Sequence, residues 1–346
     1  MTPTLERIAA LAGVSRSTVS RVINDHPSVD PDTRERVLRV IHEQDYHPNG
    51  AARALASRRS HIIGLVIPQA MSAVFTDPYF PILIQGVSTA CEERDYYLLL
   101  SFPPANPAEG LTRVVRGAHL DGLVVATSLS DSAQIAHLAR TGTPFVLVGR
   151  STYDGPITSV DVDNVRGGAM AVQHLLRLGY TGIATITGPL DLTSAVDRRD
   201  GYLAAMRQAR LDPPENFVQE GDWSEWSGTR AMEALLRLRT RPEAVFAASD
   251  SMTIGALKAI RAAGLRVPDD IALVGFDDIP MASALEPPLT TVRQSIYGLG
   301  YTAGSVLLDN LLRTPDGERP LGEGQRILLP TELVIRESCG QRLRIG

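Results

Sequence analysis
The chain has 346 residues, 44% of them hydrophobic, and a formal net charge of −5. That length is too great for one ordinary domain, and that apolar share can fill a sizeable core. No stretch approaches the ~18 consecutive apolar residues of a membrane span, and the N-terminus shows no basic segment followed by an apolar run, so we expect a cytoplasmic protein with no membrane partner.

The charge is unevenly spread. Residues 1–60 hold nine Arg against seven Asp or Glu, a net +2, while the remainder is net −7. A basic head on an acidic body suits a head that meets phosphate. Cys91 and Cys339 fit no metal or disulfide spacing, which agrees with a reducing compartment.

In chain order, Leu5, Ile8, Ala9 and Ala12 recur at helical spacing, and Gly13 permits a sharp turn. Ser15 can cap a second helix whose apolar stripe is Val19, Val22 and Ile23. Two short helices joined by a glycine-containing turn form a helix-turn-helix, whose second helix enters the major groove of DNA. Arg16, Ser17 and Thr18 then stand where base edges are read, with Ser20 and Arg21 one turn on. Asp30 as N-cap and Pro31 at the first helical position open a third helix with Val37, Leu38 and Ile41 on its apolar face, and Pro48 requires that it end by Tyr46–His47. Residues 49–57, NGAARALAS, are alanine-rich but too short to hold a helix alone in water. They read either as a helix that orders only against DNA, with Ala52 and Leu55 on one face, or as a plain linker.

From Ile62 the pattern changes. Apolar runs at 62–67, 96–100, 122–126, 145–148, 159–162, 183–186, 244–248 and 271–276 alternate with segments of helical length, of which 164–178 is the clearest. Buried strands interleaved with helices mean parallel sheets covered on both faces. Two similar blocks, GAHLDGLVVAT and LGYTGIATITG, suggest two doubly wound subdomains with ligand bound beyond the carboxyl ends of their strands. A further helix is expected at 296–312 and a strand over 326–335. There is no P-loop, HExxH, GxSxG or complete GxGxxG, so neither an enzyme nor a cofactor is expected.

Several motifs in a fixed order carry a resemblance. TLERIAALAGVSRSTVSRVIN at 4–24, YHPN at 46–49, ARALA at 52–56 and IIGLVIP at 62–68 come first. VDVDNVRGG at 160–168, HLLRLGY at 174–180, ITGPL at 186–190 and GDW at 221–223 follow. ASDSMTIGAL at 248–257, LVGFDD at 273–278 and PPLTTV at 287–292 complete the set. Nearly the whole chain thus resembles the LacI/GalR transcriptional regulators.

The resemblance implies an all-α helix-turn-helix headpiece at 1–48, a hinge helix at 49–60, and an α/β core at 61–346 like periplasmic sugar-binding proteins. The core's N-subdomain would take about 61–160 plus 292–316, and its C-subdomain about 161–291 plus 317–346. It further implies a sequence-specific regulator, a repressor, that binds a palindromic operator as a dimer and responds to a small effector in the cleft. By matching positions, Arg16, Ser17, Thr18, Arg21, Asn24 and Ala52 would serve DNA, and Leu55 would wedge into the minor groove. Tyr79, Phe80, Arg150, Asp163, Arg198, Trp223 and Asp277 would serve the effector.

An arginine fork, a carboxylate and an indole face suit a sugar ring, and the family leans the same way. A purine or nucleoside remains the alternative, and a sugar-binding protein without a DNA role a lesser one. Arg198 with Asp277 also reads as an interdomain ion pair, Trp223 as core, and Tyr79 with Phe80 as helix packing. The chain shows no C-terminal leucine heptad for tetramers, so a homodimer is expected.

Overall fold
The computed structural model describes residues 4–23, 26–46, 59–69, 71–102, 120–126, 132–313 and 324–341. The chain divides into two units, residues 1–61 and 62–346.

The first unit contains α1 (Leu5–Ala12), α2 (Arg16–Ile23) and α3 (Pro31–Glu43). Their ends form as the sequence dictates. Thr4 Oγ1 accepts the Arg7 N–H, and Gly13 takes the left-handed conformation that stops α1. Ser15 Oγ accepts the Thr18 N–H at 3.1 Å, and Asp30 accepts that of Thr33 at 2.9 Å. Ile8, Ala9, Ala12, Val19, Val22, Val37 and Tyr46 close the core. Arg36 donates to the Ala12 carbonyl at 3.0 Å and ties α3 to the end of α1. Leu38, expected on the apolar face, is instead 49% exposed. The expectations for Asn24, for the hinge helix and for Ala52 and Leu55 fall outside the described residues.

The second unit runs β1 (Ile62–Val66), α4 (Met71–Thr76), α5 (Tyr79–Glu92), β2 (Tyr97–Ser101), β3 (Gly122–Ala126), α6 (Ser132–Thr141), β4 (Phe145–Val148) and β5 (Ser159–Val162). It continues with α7 (Asn164–Arg177), β6 (Ile183–Thr187), α8 (Thr193–Gln208), β7 (Val218–Glu220), α9 (Glu225–Leu236), β8 (Ala244–Ala247), α10 (Asp250–Ala262) and β9 (Ala272–Asp277). Last come β10 (Thr290–Gln294), α11 (Ile296–Arg313), β11 (Arg326–Leu329) and β12 (Thr331–Val334).

Two six-stranded sheets result, in the orders β11-β5-β4-β3-β1-β2 and β12-β10-β9-β8-β6-β7. All pairings are parallel except β10 with β12. The central strands are buried end to end because helices cover both faces. Tyr202, Phe246 and Phe276 are fully buried in the second subdomain, each worth about 1.5–3 kcal/mol of burial. In the first, α11 packs against α5 so closely that a Cβ on Gly300 would strike the Leu83 carbonyl. Gly300 and Gly304 therefore serve helix packing.

The subdomain boundaries differ from expectation. β10 (290–294) pairs with β9, so the second subdomain keeps residues assigned to the first. β11 pairs with β5, so 326–329 belong to the first. The single strand expected over 326–335 is two strands in different sheets, split at Pro330, whose missing N–H cannot extend a ladder. β7 and β10, short or rich in threonine, were not anticipated. Both cysteines are free and buried. Among the described residues no helix is long and apolar enough to cross a membrane.

Candidate effector cleft and DNA-reading helix
On α2, Val19 and Val22 face the core while Arg16, Ser17 and Arg21 are exposed and Thr18 is half-buried. Positions 16, 17, 20 and 21 share one helical face, so two guanidinium groups and two hydroxyls project together. Arg16 pairs with Glu6 at 3.3 Å, but both are largely exposed, and so weak a pair yields readily to phosphate or base.

In the second unit, Arg198 on α8 is the centre of the site, with only 6% of its surface exposed. Its Nε donates to Asn164 Oδ1 at 2.9 Å and its Nη1 to the Ala248 carbonyl at 2.6 Å. Nη1 also lies 3.5 Å from Asp277 Oδ1. The guanidinium is stacked 3.6 Å from the Phe276 ring centroid and 5.6 Å from that of Trp223. Among the described residues Nη2 has no hydrogen bond.

Asp277 ends β9 and accepts from Gln294 Nε2 at 2.5 Å. Burial raises its pKa to about 7, against the opposing pull of Arg198. Asp250, wholly buried at the start of α10, accepts from the Ile279 N–H at 2.9 Å and from Thr291 Oγ1 at 2.6 Å. Burial, then the charge of Asp277, pushes the Asp250 carboxyl well above the usual range. Burial likewise pulls the Arg198 guanidinium down.

Trp223, Asp277 and Asp278 all hold positive φ, at 73°, 118° and 57°. Such conformations cost non-glycine residues energy and gather at ligand sites. The Trp223 indole lies where a Cβ on Gly188 would stand, so glycine at that position admits the ring. Asp278 accepts from Arg293 at 2.6 Å and Arg336 at 2.7 Å, which pins the turn.

The first subdomain supplies the opposite wall. Tyr79 and Phe80 begin α5 and pack edge to face at 5.4 Å. Asp77 accepts the Tyr79 N–H at 3.0 Å. Burial lifts the Tyr79 phenol far above its ordinary value, with Asp277, Arg198, Asp161 and Asp77 all acting on it. Tyr79 thus faces carboxylates of both subdomains.

Arg198, Trp223, Asp277 and Tyr79 therefore come together. Arg150 instead pairs with Asp197, at 2.5 and 2.8 Å. Asp163 caps α7 by accepting the Arg166 N–H at 2.9 Å. Sequence reasoning missed Asn164, Asp250 and Gln294. Asn164 and Asp250 lie inside the motifs VDVDNVRGG and ASDSMTIGAL, whose polar residues at strand ends were the available signal. Gln294 had none.

Residues 4–49 match the description "Bacterial regulatory proteins, lacI family", and residues 172–339 match "Periplasmic binding protein-like domain". The chain is 39% identical over 339 residues to the HTH-type transcriptional regulator CelR of Thermobifida fusca, covering 97% of this chain and 98% of that one. The chain belongs to the lacI family. A structure titled as a CelR–cellobiose complex is 38% identical, with TM-score 0.75, over 97% of this chain and 99% of the other. A lac repressor dimer bound to operator and the anti-inducer ONPF is 31% identical, with TM-score 0.85, over 98% of this chain and 99% of the other. This lacI-family chain is a DNA-binding transcriptional regulator and not an enzyme.

Proposed function
We propose that this regulator represses transcription from a palindromic operator as a homodimer, and that a carbohydrate in the cleft between its subdomains changes its operator affinity. The observation that carries the effector reading is the unpaired Nη2 of Arg198 beside Asp277 and the Trp223 indole. Nη2 donates to a ligand oxygen. The Asp277 carboxyl, whose Oδ1 accepts from Gln294 and Arg198, has further lone pairs for a ligand hydroxyl. The indole covers an apolar ring face. A cellobiose complex of a similar protein supports the same class of ligand.

Tyr79, Phe80, Trp223, Arg198 and Asp277 line this site. Arg150 and Asp163 act at one remove, Arg150 by joining the subdomains and Asp163 by setting α7. Arg16, Ser17, Thr18 and Arg21, with Asn24, contact the operator. Ala52 and Leu55 form the minor-groove element, where an apolar wedge kinks the duplex. The regulator works in the cytoplasm, where bacterial DNA lies. Dimerisation is supported by an apolar strip on the first subdomain: Tyr97 and Leu99 on the edge strand β2, with Met71 and Phe75 on α4, are all exposed. Such an edge is commonly covered by another chain.

The test is an operator titration of the full chain at fixed salt, with and without cellobiose, glucose or ribose, because phosphate contacts make affinity salt-dependent. A sugar that changes operator affinity supports the reading. Specific operator binding that no sugar alters, while a nucleoside or purine does, replaces the carbohydrate with that ligand.

A further inference from the structure
The charges in the cleft are unbalanced. Arg150 is matched by Asp197, and Asp278 by Arg293 and Arg336. That leaves Asp77, Asp161, Asp250 and Asp277 around the buried Arg198, whose Nη2 makes no hydrogen bond among the described residues. The four are close enough to act on one another's surroundings. Asp161 Oδ1 accepts from Asn164 Nδ2 at 3.1 Å, the same Asn164 that bonds Arg198, and Asp77 accepts from the Ser251 side chain at the start of α10, so it reaches the second subdomain beside Asp250. Arg326, exposed on β11, also reaches Asp161, from outside. Among the described residues these carboxylates form no group able to hold a metal ion.

The helix ends give an independent sign. A helix N-terminus attracts phosphate and carboxylate. Here Asp163 occupies that of α7, Ser249 and Asp250 that of α10, and Asp77 that of α5. The usual anion sites of such a cleft are already filled by the protein's own side chains.

We propose that the cleft selects an uncharged, hydroxyl-rich ring and rejects the phosphorylated or carboxylated form of the same sugar, with Asp77 and Asp161 imposing the exclusion. This rests on the carbohydrate reading of the site and narrows it. Hydroxyls donate to the surplus carboxylates, whereas a second anion meets like charge in a setting too buried for salt to screen well.

The experiment titrates the full chain by calorimetry with matched probes: glucose, glucose 6-phosphate and glucuronate; ribose and ribose 5-phosphate; cellobiose; adenosine and AMP. For any sugar that binds, the neutral form should bind at least about tenfold more tightly than its anionic partner. In Asp77→Asn and Asp161→Asn, which keep the accepting oxygen, that ratio should fall several-fold through gain for the anion. A glucose 6-phosphate, glucuronate or ribose 5-phosphate that binds the wild type as tightly as its neutral partner overturns the proposal. Unchanged ratios in both variants overturn the roles of Asp77 and Asp161. Adenosine binding ahead of AMP, with every sugar silent, would sink the carbohydrate reading yet uphold exclusion of charge. Silence from every probe overturns both.

Discussion

Arg150 and Asp197 join the two subdomains through a two-pronged ion pair, Nε to Oδ2 at 2.8 Å and Nη2 to Oδ1 at 2.5 Å. Arg150 follows β4 of the first subdomain, and Asp197 lies on α8 of the second, next to Arg198. The Arg150 carbonyl also accepts from Thr193 Oγ1 at 2.9 Å, so backbone and side chain grip the same helix. The pair thus ties the segment after β4 to the helix that carries Arg198.

Removing the two partners should not be equivalent. The Asp197 side chain is 12% exposed and that of Arg150 30%. Arg150→Ala strands a buried carboxylate and should cost about 1–3 kcal/mol, while Asp197→Ala leaves a guanidinium that can hydrate and should cost less. Urea unfolding of both single variants and the double variant measures this. Additive losses would show that the pair does not hold the subdomains.

Arg198→Lys should abolish the effector response as completely as Arg198→Ala. Lysine keeps the charge but loses the fork that serves Asn164, Ala248 and the ligand together. Operator titrations should show specific binding in both variants with no shift on adding the sugar. A normal response in the lysine variant would mean that charge alone suffices and that the fork is idle.

On the proposed reading, binding of DNA divides between two elements. Arg16→Ala should weaken operator binding by about 1–3 kcal/mol and relax preference at one base pair. Leu55→Ala should weaken specific binding several-fold while leaving effector affinity intact, because the wedge acts on the duplex and not on the cleft. Gel-shift titration against operator and a scrambled duplex reads both effects. A Leu55→Ala protein with wild-type operator affinity removes the hinge role.

The Asp277 carboxyl has a folded-state pKa of about 7 against an ordinary 3.8, so the folded protein holds this proton more tightly than the unfolded chain. Its contribution to stability is fully present below 3.8 and is lost as pH rises through about 7. Thermal unfolding without effector should therefore show stability falling between pH 3.8 and about pH 7. Asp277→Asn should flatten that slope without removing it, since Asp77, Asp161 and Asp250 are also raised. An unchanged slope would place the proton elsewhere.

Local chemistry made much of this legible from sequence. Gly13, Ser15, Asp30 and Pro31 fix three helix boundaries through contacts a few residues away, so the headpiece could be read residue by residue. Apolar runs fixed eight strands, seven of them because a strand buried on both faces has no polar alternative; the eighth, β2, is an exposed edge strand. The order of motifs identified the family, and its resemblance pointed to Arg198, Trp223, Asp277 and Tyr79 as candidates that the fold brings together.

Pairing between distant segments was not legible. Whether 290–294 joins one sheet or the other depends on β9, and whether 326–329 does depends on β5, both far away in the chain. Nor could the sequence show that α8 brings Asp197 to Arg150, or that the Asp163 carboxylate caps α7. The sequence by itself determined which residues form helices, strands and the reading face of α2, because those follow from near neighbours. Only the tertiary structure decided which charges are spent on one another and which are left for a ligand, because a charge is neutralised by whatever the fold places beside it.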